Sequence, residues 1–360
     1  MTYKLEIRRN AQVVASYSGL QTTSKTIPAG ILAEDGAYTW RVFANAGSSS
    51  LQSTSIFTLN VTQTDEWLVA TPGINGSRGG KNKATVFYKP VTGNLLPLSP
   101  TINIPQPEQA SELLPAVGDV ELTYPGKEIV LGTGIDGTNE VYIYASDRTT
   151  FIRKFTAFQK SENPSGRVHV AIGDVDTTNP GNEIIAGTGS DHFFGGTHAG
   201  INQVKVFTGE GQHLVASSFS PAFGLNPSGE VWVAAGDLLS SLPGDEIVCG
   251  PGPWNQREAL IYNNGTIVGS IFGSPILTPN TRDIAVAVGD FSPTNSGNEI
   301  LASGLYNPNE VHLYSQGGTL LQTCSAFTTQ QNPTGNIYVG GGRIDGDSNH
   351  ELLAGTSDQS

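Results

Sequence analysis

The feature that most restricts this chain is a repeat. Four Gly-Asp dipeptides, Gly118-Asp119, Gly173-Asp174, Gly236-Asp237 and Gly289-Asp290, lie 55, 63 and 53 residues apart. Each ends an apolar run, such as Val168-His169-Val170-Ala171-Ile172 or Val231-Trp232-Val233-Ala234-Ala235. Nine positions after each Asp comes Glu-Ile, at Glu128, Glu183, Glu246 and Glu299, and a glycine closes that second run at Gly132, Gly187, Gly250 and Gly304. A third run follows (Val141–Tyr144, Val204–Phe207, Ala259–Tyr262, Val311–Tyr314), then a polar turn and a fourth, amphipathic run such as Phe151–Phe155 or Leu214–Phe219. Partial copies begin at Glu66 and at Glu351. Short apolar runs bounded by Gly, Asp and Asn read as strands.

Four short strands in about 55 residues cannot bury both faces of their own sheet, and the stable solution is to stack the sheets radially. The expected fold is therefore all-β: over residues 64–360, a β-propeller of four-stranded blades, five to six of them visible. Composition agrees. There are 44 glycines and 21 prolines, and only 14% of residues are charged, which disfavours long helices. No run approaches the roughly 20 apolar residues of a membrane helix. A net charge of −13 argues against nucleic acid and suits solubility and cations. Cys249 and Cys324 imply no disulfide framework.

The first region, residues 1–63, has its own alternation, in Tyr3–Arg8, Tyr38–Phe43 and Ser55–Leu59. The segment from Ala37 to Gly47 resembles the late strands of fibronectin type III domains, which implies a partial β-sandwich whose opening strands are missing. The N-terminus is charged and has no apolar core, so it does not read as a secretory signal.

The repeated string, an apolar strand with Gly-Asp, a loop with Glu-Ile, then a Val-x-Val-Phe-like strand, resembles the FG-GAP repeats of integrin α-like propellers and of many bacterial surface proteins. The resemblance spans residues 64–360. It implies a propeller of seven blades, truncated at its C-terminus, with calcium in the loops after Gly-Asp. Ca²⁺ takes roughly 6–8 oxygen ligands at about 2.3–2.6 Å, so such a loop must aim several carboxylates and carbonyls inward. Asp174, Asp176, Asn179 and Asn182 keep that character best, with Asp345, Asp347, Asn349 and Glu351 beside them, although Arg343 replaces an expected acid. The Asp119 loop keeps two acids, Asp119 and Glu121, before running through Leu122, Thr123 and Tyr124; the Asp237 and Asp290 loops have lost ligands, and there the Asp is expected to fix the turn by accepting the amide two residues on.

His192 and His198 flank Phe193 and Phe194 on a Gly-rich insertion, Ser190 to Gly200, and match no zinc spacing. Phe193, Phe194 and Trp254, on two loops without counterparts in the other units, are candidate ligand contacts. No nucleophile elbow, phosphate loop or His-Glu-x-x-His motif occurs, and no catalytic residue is assigned. The expected function is an extracellular or cell-surface interaction module with a protein or glycan ligand and no membrane insertion. A lectin-like propeller is the alternative, and a polysaccharide lyase ranks below it because the 19 Lys and Arg residues are dispersed.

Overall fold

The computed structural model describes residues 2–9, 12–22, 25, 36–46, 49–52, 57–61, 68–71, 82–88, 95–105, 112–124, 126–191, 197–220, 222–224, 226–253, 258–272, 283–304, 309–333, 335–344 and 349–356. Every regular element among them is a strand. The chain divides into two compact units, the second beginning at Glu66.

The first unit is one antiparallel sheet. Strands β1 (Thr2–Arg9), β2 (Gln12–Leu20), β3 (Gly36–Ala46) and β4 (Ser49–Gln52) lie in the order β2-β1-β3-β4, and β5 (Phe57–Val61) also pairs with β3. Period-2 alternation along β1 places Lys4, Glu6 and Arg8 on one face. There Glu6 accepts Lys4 at 2.7 Å and Arg8 at 3.0 Å. Ile7, on the other face, is buried. The expected partial sandwich is represented, among the described residues, by this single sheet.

The second unit is a succession of antiparallel meanders. Its first sheet has three strands, β6 (Leu68–Ala70), β7 (Lys83–Tyr88) and β8 (Leu96–Asn103). Four complete sheets follow: β9 (Leu113–Gly118), β10 (Glu128–Thr133), β11 (Glu140–Tyr144) and β12 (Phe151–Thr156); β13 (Val168–Gly173), β14 (Glu183–Thr188), β15 (Val204–Phe207) and β16 (His213–Phe219); β17 (Val231–Gly236), β18 (Glu246–Pro251), β19 (Glu258–Asn263) and β20 (Thr266–Phe272); β21 (Ile284–Gly289), β22 (Glu299–Gly304), β23 (Glu310–Tyr314) and β24 (Leu320–Ser325). A pair, β25 (Ile337–Gly342) and β26 (Glu351–Thr356), closes the series.

Each sheet buries its apolar face against the next one. Val130, Val141 and Ile143 pack with Val168, Val170 and Ile184 of the following sheet. Ile185, Val204 and Val206 pack with Val231, Val233 and Ile247. Val248, Ala259 and Ile261 pack with Ile284, Val286 and Ile300. Leu301 and Val311 pack with Ile337. Second strands β10, β14, β18 and β22 are buried along their whole length, whereas outer strand β24 is largely exposed. This arrangement fits a β-propeller.

The glycine at the end of each second strand has a steric cause. A Cβ on Gly132, Gly187 or Gly250 would stand 2.1, 2.2 or 2.0 Å from the carbonyl oxygen of Val168, Val231 or Ile284, which opens the next sheet. In the fourth complete sheet the register puts Ser303 at this place, not Gly304 as the sequence suggests, because Ser303 pairs with Ala285 as Gly250 does with Trp232. Ser303 turns the close approach to use: its Oγ donates to the carbonyl of Ile337 at 2.6 Å.

Candidate functional site

The meander puts two kinds of loop at opposite ends of the sheets. The Gly-Asp loops join first to second strands at one end. At the other end chains enter the first strands and leave the second ones, since Val168 pairs with Thr188 and Val231 with Pro251.

At the Gly-Asp end the repeated Glu closes the loop. Glu128 Oε2 accepts the amides of Val120 (2.9 Å) and Glu121 (3.0 Å). Glu183 does the same for Val175 and Asp176, Glu246 for Leu238 and Leu239, and Glu299 for Phe291 and Ser292, all between 2.8 and 3.0 Å. Glu351 accepts from Ile344. The amide two residues beyond each Asp therefore goes to the Glu carboxylate. This corrects the expectation that Asp237 and Asp290 close their own turns: a carboxylate on a rigid strand reaches two amides at once, and an Asx turn would satisfy only one. Burial pushes the Glu128 and Glu183 carboxyls up to about 7, against the pull of their paired amides.

At three of the loops the residue just before the Glu ties neighbouring sheets together. Asn182 Nδ2 donates to the carbonyl of Asp119 at 2.9 Å. The Asp174 amide donates to Asp245 Oδ2 at 3.0 Å, and the Asp245 amide donates to the Asp174 carbonyl at 2.7 Å. His350 repeats the pattern: its Nδ1 accepts the Asp290 amide at 3.1 Å, and its own amide donates to the Asp290 carbonyl at 2.6 Å. This junction explains the Gly of Gly-Asp, since a Cβ on Gly173 would stand 2.7 Å from both Ala235 Cβ and Asp245 Oδ2.

These contacts bear on the expected calcium ligands. Asp176 Oδ1 accepts Thr178 Oγ1 at 2.5 Å, and Oδ2 accepts Ser217 Oγ at 2.7 Å; these bonds hold its carboxyl below the usual range. Asn182 Nδ2 is engaged with the Asp119 carbonyl, and Glu351 with the Ile344 amide. Asp345 and Asp347 lie outside the described residues, as do Phe193, Phe194 and Trp254. Among the described residues no group of three or more His, Cys, Asp or Glu is placed to hold a metal ion. In the Asp174 loop both carboxylate oxygens of Asp176 are taken by protein partners, Thr178 and Ser217.

The opposite end holds a feature that the sequence reading missed. The residues immediately before the five first strands are Glu112, Arg167, Glu230, Asp283 and Asn336, and all are at most 6% exposed. Arg167 Nε lies 2.7 Å from Glu112 Oε1, and Nη1 donates to Glu230 Oε1. Ser190 Oγ donates to Glu230 Oε2 at 2.9 Å. The Trp232 ring lies 5.1 Å from the Arg167 guanidinium, 4.1 Å from the His169 ring and 5.5 Å from Tyr338, two sheets on. Ala285, at the corresponding place in the intervening sheet, leaves room for that contact.

Burial works against the Arg167 charge, yet Glu112 and Glu230 hold its pKa above the ordinary value. Burial also opposes ionisation of Glu230, but Arg167 and His169 keep it below the carboxylate range. The same burial lifts Glu112 above that range and pushes His169 down to about 4. Arg167 and Glu230 are thus the charged partners, with His169 neutral beside them.

Two sequence signals mark this end. One is the polar residue before each first strand, easily passed over because its identity changes. The other is Asn-Pro-Ser/Thr-Gly, beginning at Asn163, Asn226 and Asn332. Each of these Asn Nδ2 groups donates to the carbonyl of the polar residue four positions on, Arg167, Glu230 or Asn336, at 2.6, 2.8 and 3.0 Å. The non-repeated loops leave from this end as well. Asp191 anchors the first of them, accepting the His198 amide and His198 Nδ1, both at 2.7 Å, while His198 itself is exposed.

No family model matches the chain, and no curated protein does. Among solved structures it is similar to BBS1N in complex with ARL6DN, at 13% identity over 81% of this chain and 94% of that one, with a TM-score of 0.40. It is also similar to an arginine-to-alanine mutant of AofleA from Arthrobotrys oligospora, at 11% identity over 81% of this chain and 83% of that one, with a TM-score of 0.43. Both similarities are distant, and the fold rests on the sheets described above.

Proposed function

We propose that this chain is a binding module that carries out no chemistry of its own and meets its ligand at the end where the first strands begin. One observation carries this reading. The side chains that recur with the repeat, the loop Glu residues and the residues before them, are engaged in closing loops and joining sheets. Two stretches that do not recur, 190–200 and 251–257, join second to third strands on adjacent sheets, and the strand ends that flank them lie at the other end. A repeat scaffold that places its irregular loops together offers one contact surface on a rigid base.

The ligand class is a protein or a glycan, met at the cell surface or outside the cell, with Phe193, Phe194 and Trp254 as the apolar contacts. The acidic charge and the FG-GAP resemblance support that setting. Calcium belongs to this reading only if the Asp174 loop rearranges, with Asp176 leaving Thr178 and Ser217. A glycan array, with an extracellular-protein array beside it, tests the proposal. Binding should be lost in the triple variant Phe193→Ala, Phe194→Ala, Trp254→Ala and retained in Leu122→Ala at the Gly-Asp end. Equal loss in both, or turnover of an acidic polysaccharide, would sink the reading.

A further inference from the structure

In the third complete sheet the third and fourth strands are joined by a two-residue turn. The ladder of β19 and β20 runs to the pair Asn263↔Thr266, which leaves Asn264 and Gly265 outside it. Both have left-handed backbone, with φ of 46° and 70°. This is the tight hairpin turn for which Asn-Gly is the preferred pair. Asn264 is exposed. A Cβ added at Gly265 would meet nothing nearer than 3.8 Å. Among the described residues no other asparagine is followed by glycine. Asn139, Asn202 and Asn309 share the left-handed backbone, with φ of 62°, 59° and 63°. Those three are buried, and the side chains of Glu140, Gln203 and Glu310 follow them.

That turn is wired to a Gly-Asp loop. Asn264 Nδ2 donates to Asn263 Oδ1 at 3.3 Å. Asn263 Nδ2 donates in turn to the carbonyl of Pro243 at 3.2 Å and to Glu246 Oε1 at 3.0 Å. The other oxygen of Glu246 closes the loop through the amides of Leu238 and Leu239. An asparagine carbonyl carbon is an electrophile one residue away from the next backbone nitrogen. Glycine leaves that nitrogen open to approach, because it has no Cβ. At Asn264 the exposed turn adds access for water, and no ladder bond holds the Gly265 amide in place.

We propose that Asn264-Gly265 is a self-modification site, at which the chain deamidates in water and thereby loosens the loop closed by Glu246. The Gly265 nitrogen gives its proton to hydroxide and attacks Asn264 Cγ. The new N–C bond closes a five-membered succinimide, and the side-chain nitrogen takes a proton from water and leaves as ammonia. Water then opens the ring. Addition at Cγ breaks the new bond and gives aspartate; addition at the main-chain carbonyl carbon breaks the original peptide bond and gives isoaspartate. One water enters, one ammonia leaves, and nothing is oxidised. Either product sets a carboxylate oxygen where Nδ2 had donated to Asn263 Oδ1. Two acceptors then face each other, and Asn263 gives up its hold on Pro243 and Glu246. This site is separate from the loop surface proposed above and does not depend on it.

The test is to age the full chain in warm heavy-oxygen water at pH 6 and at pH 8, digest it with trypsin, and sequence the peptide of residues 258–282 by mass spectrometry, with a sample digested at time zero as baseline. Conversion is expected at Asn264, faster at pH 8 in proportion to hydroxide, with the heavy oxygen in the new carboxyl and isoaspartate among the products. Asn263 and Asn280, in the same peptide, should stay intact. Gly265→Ala should slow the conversion several-fold. The second arm is the variant Asn264→Asp, which supplies the carboxylate at once. Its Leu238 and Leu239 amides should exchange several-fold faster than those of the wild type. An intact Asn264, conversion at Asn263 or Asn280 at an equal rate, a rate indifferent to pH, or a product without heavy oxygen would overturn the modification. Unchanged exchange at Leu238 and Leu239 in Asn264→Asp would overturn its link to the loop.

Discussion

His169 Nε2 lies 2.8 Å from Glu230 Oε1, a contact between first strand β13 and the residue just before first strand β17 of the adjacent sheet, 61 residues apart in sequence. The same carboxylate oxygen accepts from Arg167, so one buried Glu joins a guanidinium and an imidazole at the convergence of the first strands. Removing it leaves Arg167 with Glu112, whose carboxyl is raised by burial and is a poor counter-charge, and with the weaker influence of Asp283. Glu230→Ala is expected to destabilise by about 3–5 kcal/mol, the usual cost of breaking a buried pair from one side. Glu230→Gln, which keeps an acceptor for Arg167, should cost less. Urea unfolding of the three proteins checks the order, and equal stability of Glu230→Ala and wild type would mean that Arg167 is not held by Glu230.

The glycine rule of the second strands can be tested with an internal control. Gly187→Ala would set a Cβ 2.2 Å from the Val231 carbonyl, a backbone atom fixed by the next sheet. Overpacking against backbone should cost about 3 kcal/mol. Gly355→Ala, at the matching place in β26, meets no neighbour and should stay within about 1 kcal/mol of wild type, on the stabilising side through loss of chain entropy. Thermal melts that showed equal losses for both would break the link between these glycines and sheet-to-sheet packing.

How far the sequence was legible depends on the kind of signal. The Gly-Asp and Glu-Ile periodicity marks strand ends directly, and β9 through β24 fall where it places them, because a four-strand meander repeats its turn chemistry. The job of Glu128, Glu183, Glu246 and Glu299 was not legible. A carboxylate that ligates a cation and one that accepts two amides are the same residue at the same spacing. Ser303 was passed over for Gly304 because a one-residue shift shows only in register. The buried row Glu112, Arg167, Glu230, Asp283 and Asn336 was hidden since its identity changes from sheet to sheet, although the Asn-Pro-Ser/Thr-Gly string ahead of three of its members was in plain view.

The loop carboxylates give the protein a readable pH dependence. Glu128 titrates at about 7 in the fold, because burial raises it, against an ordinary value of 4.5. Between these values the folded chain holds a proton that the unfolded chain has released. The stabilisation tied to Glu128 is therefore complete below about 4.5 and is lost as pH rises through 7. His169 acts in the opposite sense: it stays neutral to about 4 in the fold while the unfolded imidazole protonates near 6.5, so stability falls as pH drops between them. Wild-type melting alone mixes these two with Glu183, which burial also raises to about 7, and with Asp245, which burial raises to about 6. The difference between Glu128→Gln and wild type isolates the first, and it should grow in favour of the variant from pH 5 to pH 8. A difference that does not change across that range would exclude Glu128 as the titrating group.

Metal removal separates the two uses of the Gly-Asp loops. A loop closed by Glu183 through the amides of Val175 and Asp176 needs no cation to keep its shape. Excess EDTA should then leave the melting temperature unchanged within about a degree. A calcium ion bound only to the folded chain must raise stability by RT ln(1 + [L]/Kd), which is about 2.7 kcal/mol at a hundredfold excess over Kd. Millimolar Ca²⁺ that raised the melting temperature by several degrees would show that Asp176 gives up Thr178 and Ser217 for a cation. The variant Asp176→Asn distinguishes the two outcomes. It keeps an acceptor for Thr178 but loses a carboxylate, so it should abolish a calcium response while costing little in a loop that holds itself closed.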